Sequence, residues 1–153
     1  MPFTVTIQGL PGPQTIARLM NMGIAPYNIT SSVSLVIAQR LVRRLHDCKR
    51  AVHLPEHALL LEGFTADEVH AGITLYEAVG CEDCTEGYKG RSGVYQVMPM
   101  TDQIQQIVLA GGNVQQITEA ASASGVRDLR RSALDKARAG VTSLVEINRV
   151  TKD

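Results

Sequence analysis

The sequence predicts an α+β chain, and three observations carry that prediction. Helix start and stop signals recur at both ends of the chain. A Val- and Tyr-bearing stretch at 93–98 has strand content. Between it and a second strand-like stretch at 73–78 lies a polar, glycine-bearing loop with a close cysteine pair. The 153 residues suffice for about one domain, or two small subdomains sharing a core.

Residues 1–12 read as an extended or loose lead-in closed by Gly9, Pro11 and Gly12. Pro13 suits a first helical turn, and Ile16, Leu19 and Met20 recur at helical spacing up to Gly23, which predicts a helix over 13–22. Pro26 opens a second segment. The run 33–38 is apolar at nearly every position and is expected to be buried, as a helix leading into an extended piece at 40–45. A short helix is predicted from Pro55 to Glu62, stopped by Gly63. Thr65 with Glu68 then forms a capping box. The stretches 73–78 and 93–98 are expected as two strands joined by the intervening loop.

From Thr101 onward the chain reads as helical. Thr101 caps a helix bearing Ile104, Ile107 and Val108, ended by Gly111 and Gly112. Asn113 with Gln116 is a second capping box, followed by the stripe Ile117, Ala120 and Ala121 up to Gly125. Residues 127–139 carry Leu129, Ala133, Leu134 and Ala137, and Ser143 with Glu146 starts a last short helix. These helices are expected to form a C-terminal bundle.

Composition narrows the function classes. An apolar fraction of 44%, a charged fraction of 20% and a mean hydropathy of +0.01 describe a folded globular chain. Fifteen basic residues balance fifteen acidic ones, which disfavours nucleic acid as the principal partner. No apolar run approaches the roughly 18 residues of a membrane span, so direct membrane insertion is not expected. Three cysteines suit a reducing compartment better than a disulfide framework, and no secretory signal is visible, so a cytoplasmic location is expected.

The sharpest chemical signal is Cys81-Glu-Asp-Cys84, two thiols at a spacing that can grip one tetrahedral ion. Cys48 supplies a third sulfur and His46 stands two residues before it. If 41–48 is extended, both side chains share a face. The candidate site is thus His46, Cys48, Cys81 and Cys84 around a structural zinc, with His53 or His57 as substitutes for His46. Unmetallated buried thiols and a redox dithiol are the alternatives. The stretch Gly87-Tyr-Lys-Gly-Arg-Ser-Gly93 is either a phosphate- or partner-contact loop or, as local chemistry favours, a hairpin. No G-x-x-x-x-G-K-[ST] occurs anywhere in the chain. The basic cluster Arg40, Arg43, Arg44, Lys49 and Arg50 is read as a solvated face, with tracking of phosphates or pairing with acids across a subunit interface as the alternatives. No catalytic triad or acid–base carboxylate pair is legible, and no catalytic residue is assigned.

Several ordered motifs carry a resemblance. Arg18-Leu-Met-Asn-Met-Gly-Ile-Ala-Pro-Tyr27, the run 31–45, Gly80-Cys-Glu-Asp-Cys84, Gly87 to Met100 and Gly140 to Thr151 together resemble the C-terminal portion of the type IV pilus assembly ATPases. These belong to the type II secretion ATPase superfamily. The resemblance implies a hexameric motor on the cytoplasmic side of the bacterial inner membrane, in contact with the other subunits of a homo-hexamer and with the pilus platform protein. It implies the end of a RecA-like core over 13–47, a zinc-binding subdomain with a β-hairpin over 48–100 and a helical subdomain over 101–153. Gln39 and Arg40 fall in the family's Ala-Gln-Arg-Leu motif. Cys81 and Cys84 match its second metal pair, whereas its first pair is usually another C-x-x-C and here reads His46-Asp-Cys48. Residues 1–12 stand where the family's histidine motif is expected and are read as an atypical lead-in, with a scar, a shifted reading frame and a truncated gene as the alternatives for its origin. ATP and Mg²⁺ are implied only for the full-length motor, and the polypeptide alone is expected to be inactive. A stand-alone zinc-ribbon-like module for nucleic acid or a client protein is the alternative from another class.

Overall fold

A computed structural model describes residues 10–152, and the greater part of the lead-in expected over 1–12 lies outside them. The elements in chain order are α1 (Gly12–Asn21), α2 (Pro26–Ser32), β1 (Leu35–Leu45), β2 (Arg50–Val52), α3 (Glu56–Glu62), α4 (Ala66–Ala71), β3 (Leu75–Glu77), β4 (Tyr88–Pro99), α5 (Asp102–Leu109), α6 (Val114–Ala123), α7 (Leu129–Arg138) and α8 (Leu144–Thr151). The mixture of helix and strand agrees with the α+β expectation. The chain divides into two compact units, one made by the residues up to Gln39 with Tyr95–Leu129, the other by Arg40–Val94 with the chain from Arg130 onward.

In the first unit, Ile16, Ile29, Met98, Ile104, Val108 and Ile117 form a fully buried apolar core. Gly12 approaches Met98 so closely that an added Cβ would lie 3.3 Å from it, and its N–H donates to the buried Oε1 of Gln96 at 2.8 Å. Thr101 Oγ1 accepts the N–H of Ile104 at 3.3 Å, and Asn113 and Gln116 exchange two 3.0 Å hydrogen bonds, so both local capping signals hold.

The run 33–38 is not a buried helix. It enters β1, a continuous strand in which Val36, Ala38, Val42 and Leu45 are buried while Leu35, Ile37 and Leu41 are exposed. Val and Ile fit a pleated surface, and strand geometry sends successive side chains to opposite faces, so a uniformly apolar run became a half-exposed one.

The expected joining of the two strand-like stretches is also replaced. β3 pairs antiparallel with β2 in the register Arg50↔Glu77, Ala51↔Tyr76, Val52↔Leu75, and β4 pairs with β1. Most of 87–93 is therefore strand. The turn falls earlier, at Thr85–Tyr88, where the two residues exchange backbone hydrogen bonds of 3.0 and 2.9 Å. Its central residues, Glu86 and Gly87, have φ of 53° and 88°, the sign demanded by a tight two-residue turn.

The helices after Thr101, expected as one bundle, are shared between the units: α5 and α6 belong to the first, α7 and α8 to the second. An apolar stripe states that a helix must bury a face, not against what. In the second unit Leu59, Phe64, Leu75, Leu134 and Ile147 are buried. Gly63 ends α3 at φ 112°, and Thr65 and Glu68 cap α4 reciprocally. Arg130 donates from Nε and Nη2 to the Glu62 carbonyl at 3.1 and 2.8 Å and from Nη2 to its carboxylate at 2.6 Å. Glu68 accepts from Arg131 and from Arg138. Among the described residues, no helix is long and apolar enough to cross a membrane.

Candidate metal centre

β1 ends at Leu45, and His46–Lys49 form a turn closed by the Lys49 N–H donating to the His46 carbonyl at 3.0 Å. The extended geometry expected through residue 48 is thus absent, but the turn folds His46 and Cys48 toward the same point. The second pair is set by another turn. Cys84 N–H meets the Cys81 carbonyl at 3.4 Å, and the Cys81 N–H donates to Cys84 Sγ at 3.2 Å.

Gly87 ties the two turns together. Its carbonyl accepts the His46 N–H at 2.9 Å, and its own N–H favours the Cys84 thiolate. It lies so close to the backbone before the cysteine loop that a Cβ would fall 2.6 Å from Ala78 Cβ and 2.9 Å from Val79 N.

The result brings all four candidate ligands together. Their donor atoms lie within 4.8 Å of one another, with Cys81 exposed and the others half-buried. Cys81 Sγ is 3.5 Å from Cys84 Sγ and 3.4 Å from His46 Nδ1, and Cys48 Sγ is 3.8 Å from Cys84 Sγ. A tetrahedral zinc with Zn–S of about 2.3 Å and Zn–N of about 2.0 Å has S···S edges of about 3.8 Å and S···N edges of about 3.5 Å. The donor set and spacing therefore fit one tetrahedral ion. Neither His53 nor His57, both exposed, belongs to the group.

Crowding divides the sulfurs electrostatically. Burial opposes ionisation of Cys84, but N–H groups of Cys81 and Gly87 and the neighbouring thiols outweigh it, and its pKa is lowered. At Cys81 the Asp83 N–H favours the thiolate, yet the hydrogen bond its own S–H donates to Cys84, burial and the proximity of Cys48 prevail and push the thiol up. A bound dication would supply the charge that lets all three sulfurs ionise together.

Residues around the centre carry interactions not legible in the sequence. Arg43, read as one of a solvated cluster, stacks its guanidinium 4.2 Å from the Tyr88 ring centroid and bonds Glu146 and Glu86. Lys49 donates to the Gly140 carbonyl at 2.7 Å, and Arg50 pairs with Glu77. Glu146 was legible only as the fourth position of a capping pattern. Ser143 does cap α8 by accepting the Glu146 N–H at 3.2 Å, while the Glu146 carboxylate turns to Arg43 and Arg149. Beside Cys84 an open depression of about 580 Å³ is lined by both acidic (Glu82, Asp83) and basic (Lys89, Arg91) side chains.

The chain as a whole resembles known proteins. A family model described as Type II/IV secretion system protein matches residues 6–149. The chain belongs to that family. Within it, the chain is 51% identical over 142 residues to a type IV pilus assembly ATPase PilB of Acinetobacter baylyi, covering 92% of this chain and 24% of the relative. It is 48% identical over 141 residues to the PilB of Pseudomonas aeruginosa, covering 92% and 25%. A type II secretion system ATPase E of Vibrio cholerae is 36% identical over 140 residues, covering 90% and 27%. The chain thus spans about a quarter of the length of these type II/IV secretion relatives.

Proposed function

We propose that this chain is the C-terminal region of a hexameric type IV pilus assembly ATPase, and that its own contribution is structural. In this reading 13–47 close a RecA-like core, 48–100 form a zinc-stapled subdomain and 101–153 add helices. The whole contacts neighbouring subunits and the inner-membrane platform protein from the cytoplasmic side. The observation that carries the reading is the joining of family membership to a four-donor cluster of zinc dimensions. Zinc held by His46, Cys48, Cys81 and Cys84 has no open position for water, so it staples rather than reacts, and such ligation contributes on the order of 10 kcal/mol to folding.

The chain contains no P-loop lysine and neighbouring hydroxyl to cradle phosphates and hold Mg²⁺. ATP turnover by this polypeptide alone is therefore expected to be absent.

The test is metal content after purification without added zinc. One zinc per chain is expected in the wild type, with loss or marked weakening in His46→Ala and Cys84→Ser. Stoichiometric zinc retained in His46→Ala would remove His46 from the site. A zinc-ribbon role would instead reveal itself as salt-dependent nucleic-acid binding, which the balanced charge opposes.

A further inference from the structure

Both ligand-bearing turns are fastened to one stretch of chain, residues 140–146. Leu45, immediately before His46, donates its N–H to the Val141 carbonyl at 2.8 Å, and Lys49, immediately after Cys48, donates Nζ to the Gly140 carbonyl at 2.7 Å. Thr142 Oγ1 donates to the Arg43 carbonyl at 2.8 Å, and the Arg43 N–H and Nε are taken by the Glu146 carboxylate at 2.8 and 2.9 Å. The cysteine loop is held from the same stretch: Tyr88, next to Gly87, shares a 2.6 Å hydrogen bond between its Oη and Ser143 Oγ. Thr142, Ser143 and Glu146 are all buried. Ser143 and Glu146 are also the N-cap and first turn of α8.

We propose that residues 140–146 are the outer brace of the metal centre, so that metal binding and the docking of α8 are one coupled equilibrium. The proposal rests on the reading of the four-donor cluster as a metal site. Tetrahedral coordination tolerates only a few tenths of an ångström at each donor. The two turns come from separate parts of the chain, and at the level of the ligands they meet through sulfur contacts and the hydrogen bond from His46 to Gly87. One layer out, strand pairing of β1 with β4 and of β2 with β3 and the Arg43–Glu86 hydrogen bond also join them, and the brace adds hydrogen bonds that hold both turns from a single stretch of chain. A displacement of α8 breaks the Tyr88–Ser143 and Arg43–Glu146 bonds together and loosens both turns at once. Linkage makes the effect reciprocal: a metal that holds the turns also holds α8. Tyr88 and Glu146 are positioning residues, since they touch no donor atom of the site.

The experiment titrates Zn²⁺ into the chain against a chromophoric chelator, for wild type, Tyr88→Phe, Glu146→Gln and the control Glu68→Gln. The control removes ion pairs to Arg131 and Arg138 but no bond of the brace. Outer-layer partners of metal ligands typically contribute 10–100-fold to affinity. Weakening of that order is expected in Tyr88→Phe and Glu146→Gln, whereas Glu68→Gln lowers thermal stability without changing Zn²⁺ affinity. Removing zinc from the wild type is expected to accelerate amide exchange along 147–151. Wild-type Zn²⁺ affinity in Tyr88→Phe, or exchange in α8 indifferent to zinc, overturns the brace. If Glu146→Gln does not fold, Tyr88→Phe alone decides, because it keeps the ring and removes only the hydroxyl. A wild-type chain that binds no zinc overturns both this proposal and the zinc staple. Tight zinc in every variant overturns the brace alone.

Discussion

Arg43 grips Glu146 twice across 103 residues of chain, its backbone N–H reaching Oε2 at 2.8 Å and its Nε reaching Oε1 at 2.9 Å. Arg149 holds the same two oxygens from the other side at 3.0 and 2.9 Å. The carboxylate has no exposed surface, and burial alone would push its pKa up. Hydrogen bonds from Arg149 and Arg43 outweigh that penalty and hold it at about 2. The folded pKa lies below the unfolded one, so the stabilisation is present above about pH 4.5 and is lost as pH falls toward about 2. Its upper bound is on the order of 3 kcal/mol. Urea unfolding between pH 6 and 2.5 should show a midpoint that falls with acid. Glu146→Gln should be less stable at neutral pH and flatter across that window, the remaining slope coming from Glu68, also held at about 2, from Glu62, whose pKa is likewise lowered, and from protons competing for the zinc ligands. An unchanged slope in Glu146→Gln would remove this carboxylate from the acid response.

Gly87 and Gly90 stand three residues apart with the same backbone sign, φ 88° and 82°, and should respond differently to alanine. Nothing lies within 4 Å of a Cβ built on Gly90, so Gly90→Ala carries only the conformational cost of about 1 kcal/mol. At Gly87 the added carbon meets Ala78 and the Val79 amide, neither of which is the free end of a flexible chain. Gly87→Ala must therefore move the turn that holds the His46 N–H. The predicted outcome is a loss well beyond that of Gly90→Ala, seen both in thermal denaturation and in zinc retained after dialysis. Equal losses in the two variants would show that the close approach at Gly87 does not govern the site.

What was legible in the sequence is local chemistry. The Thr65–Glu68 and Asn113–Gln116 capping boxes and the stop at Gly63 are satisfied within a few residues of chain and stand as read. Cys81 and Cys84 are likewise joined by a turn their spacing already implies. Tertiary choice was not legible. A run such as 33–38 has no period to separate helix from strand, and its outcome depended on pairing with β4, more than fifty residues away. An extended 41–48 would put His46 and Cys48 on one face, and they meet through a turn instead. Glu146 was hidden because a serine three residues earlier gave it a sufficient local role, while its partner Arg43 sat in a cluster that looked solvated.

Glu86 offers a stabilising substitution. Its φ of 53° is a left-handed conformation that costs a side chain with a Cβ about 1 kcal/mol and that asparagine tolerates better. Its ion pair with Arg43 at 3.1 Å is solvent-exposed, and such pairs contribute roughly 0–1 kcal/mol. Glu86→Asn should raise the melting temperature slightly at high salt, where the lost ion pair is screened, and change it less at low salt. A melting temperature that falls at both ionic strengths would mean that the carboxylate does more than its exposed pairing indicates.

The first unit carries a surface at odds with an isolated monomer. Its portion of the β1–β4 sheet buries Val36, Ala38, Gln96 and Met98 on one face, while Leu35, Ile37, Tyr95 and Val97 alternate onto the other and are each about half exposed. Strand alternation puts these four apolar side chains on one side, and the Gln39 amide donating to the Tyr95 hydroxyl at 3.4 Å is a polar contact among its exposed residues. Contiguous apolar sheet faces associate in water, since covering them releases about 25 cal/mol per Å² of apolar area. The chain should therefore show a weight-average mass that rises with concentration in light scattering. Ile37→Lys, placing a charge on the exposed face without touching the buried one, should shift that rise to higher concentration while leaving the melting temperature of the dilute protein nearly unchanged. A compact monomer at every concentration, or association insensitive to Ile37→Lys, would show that this face is not what brings copies together.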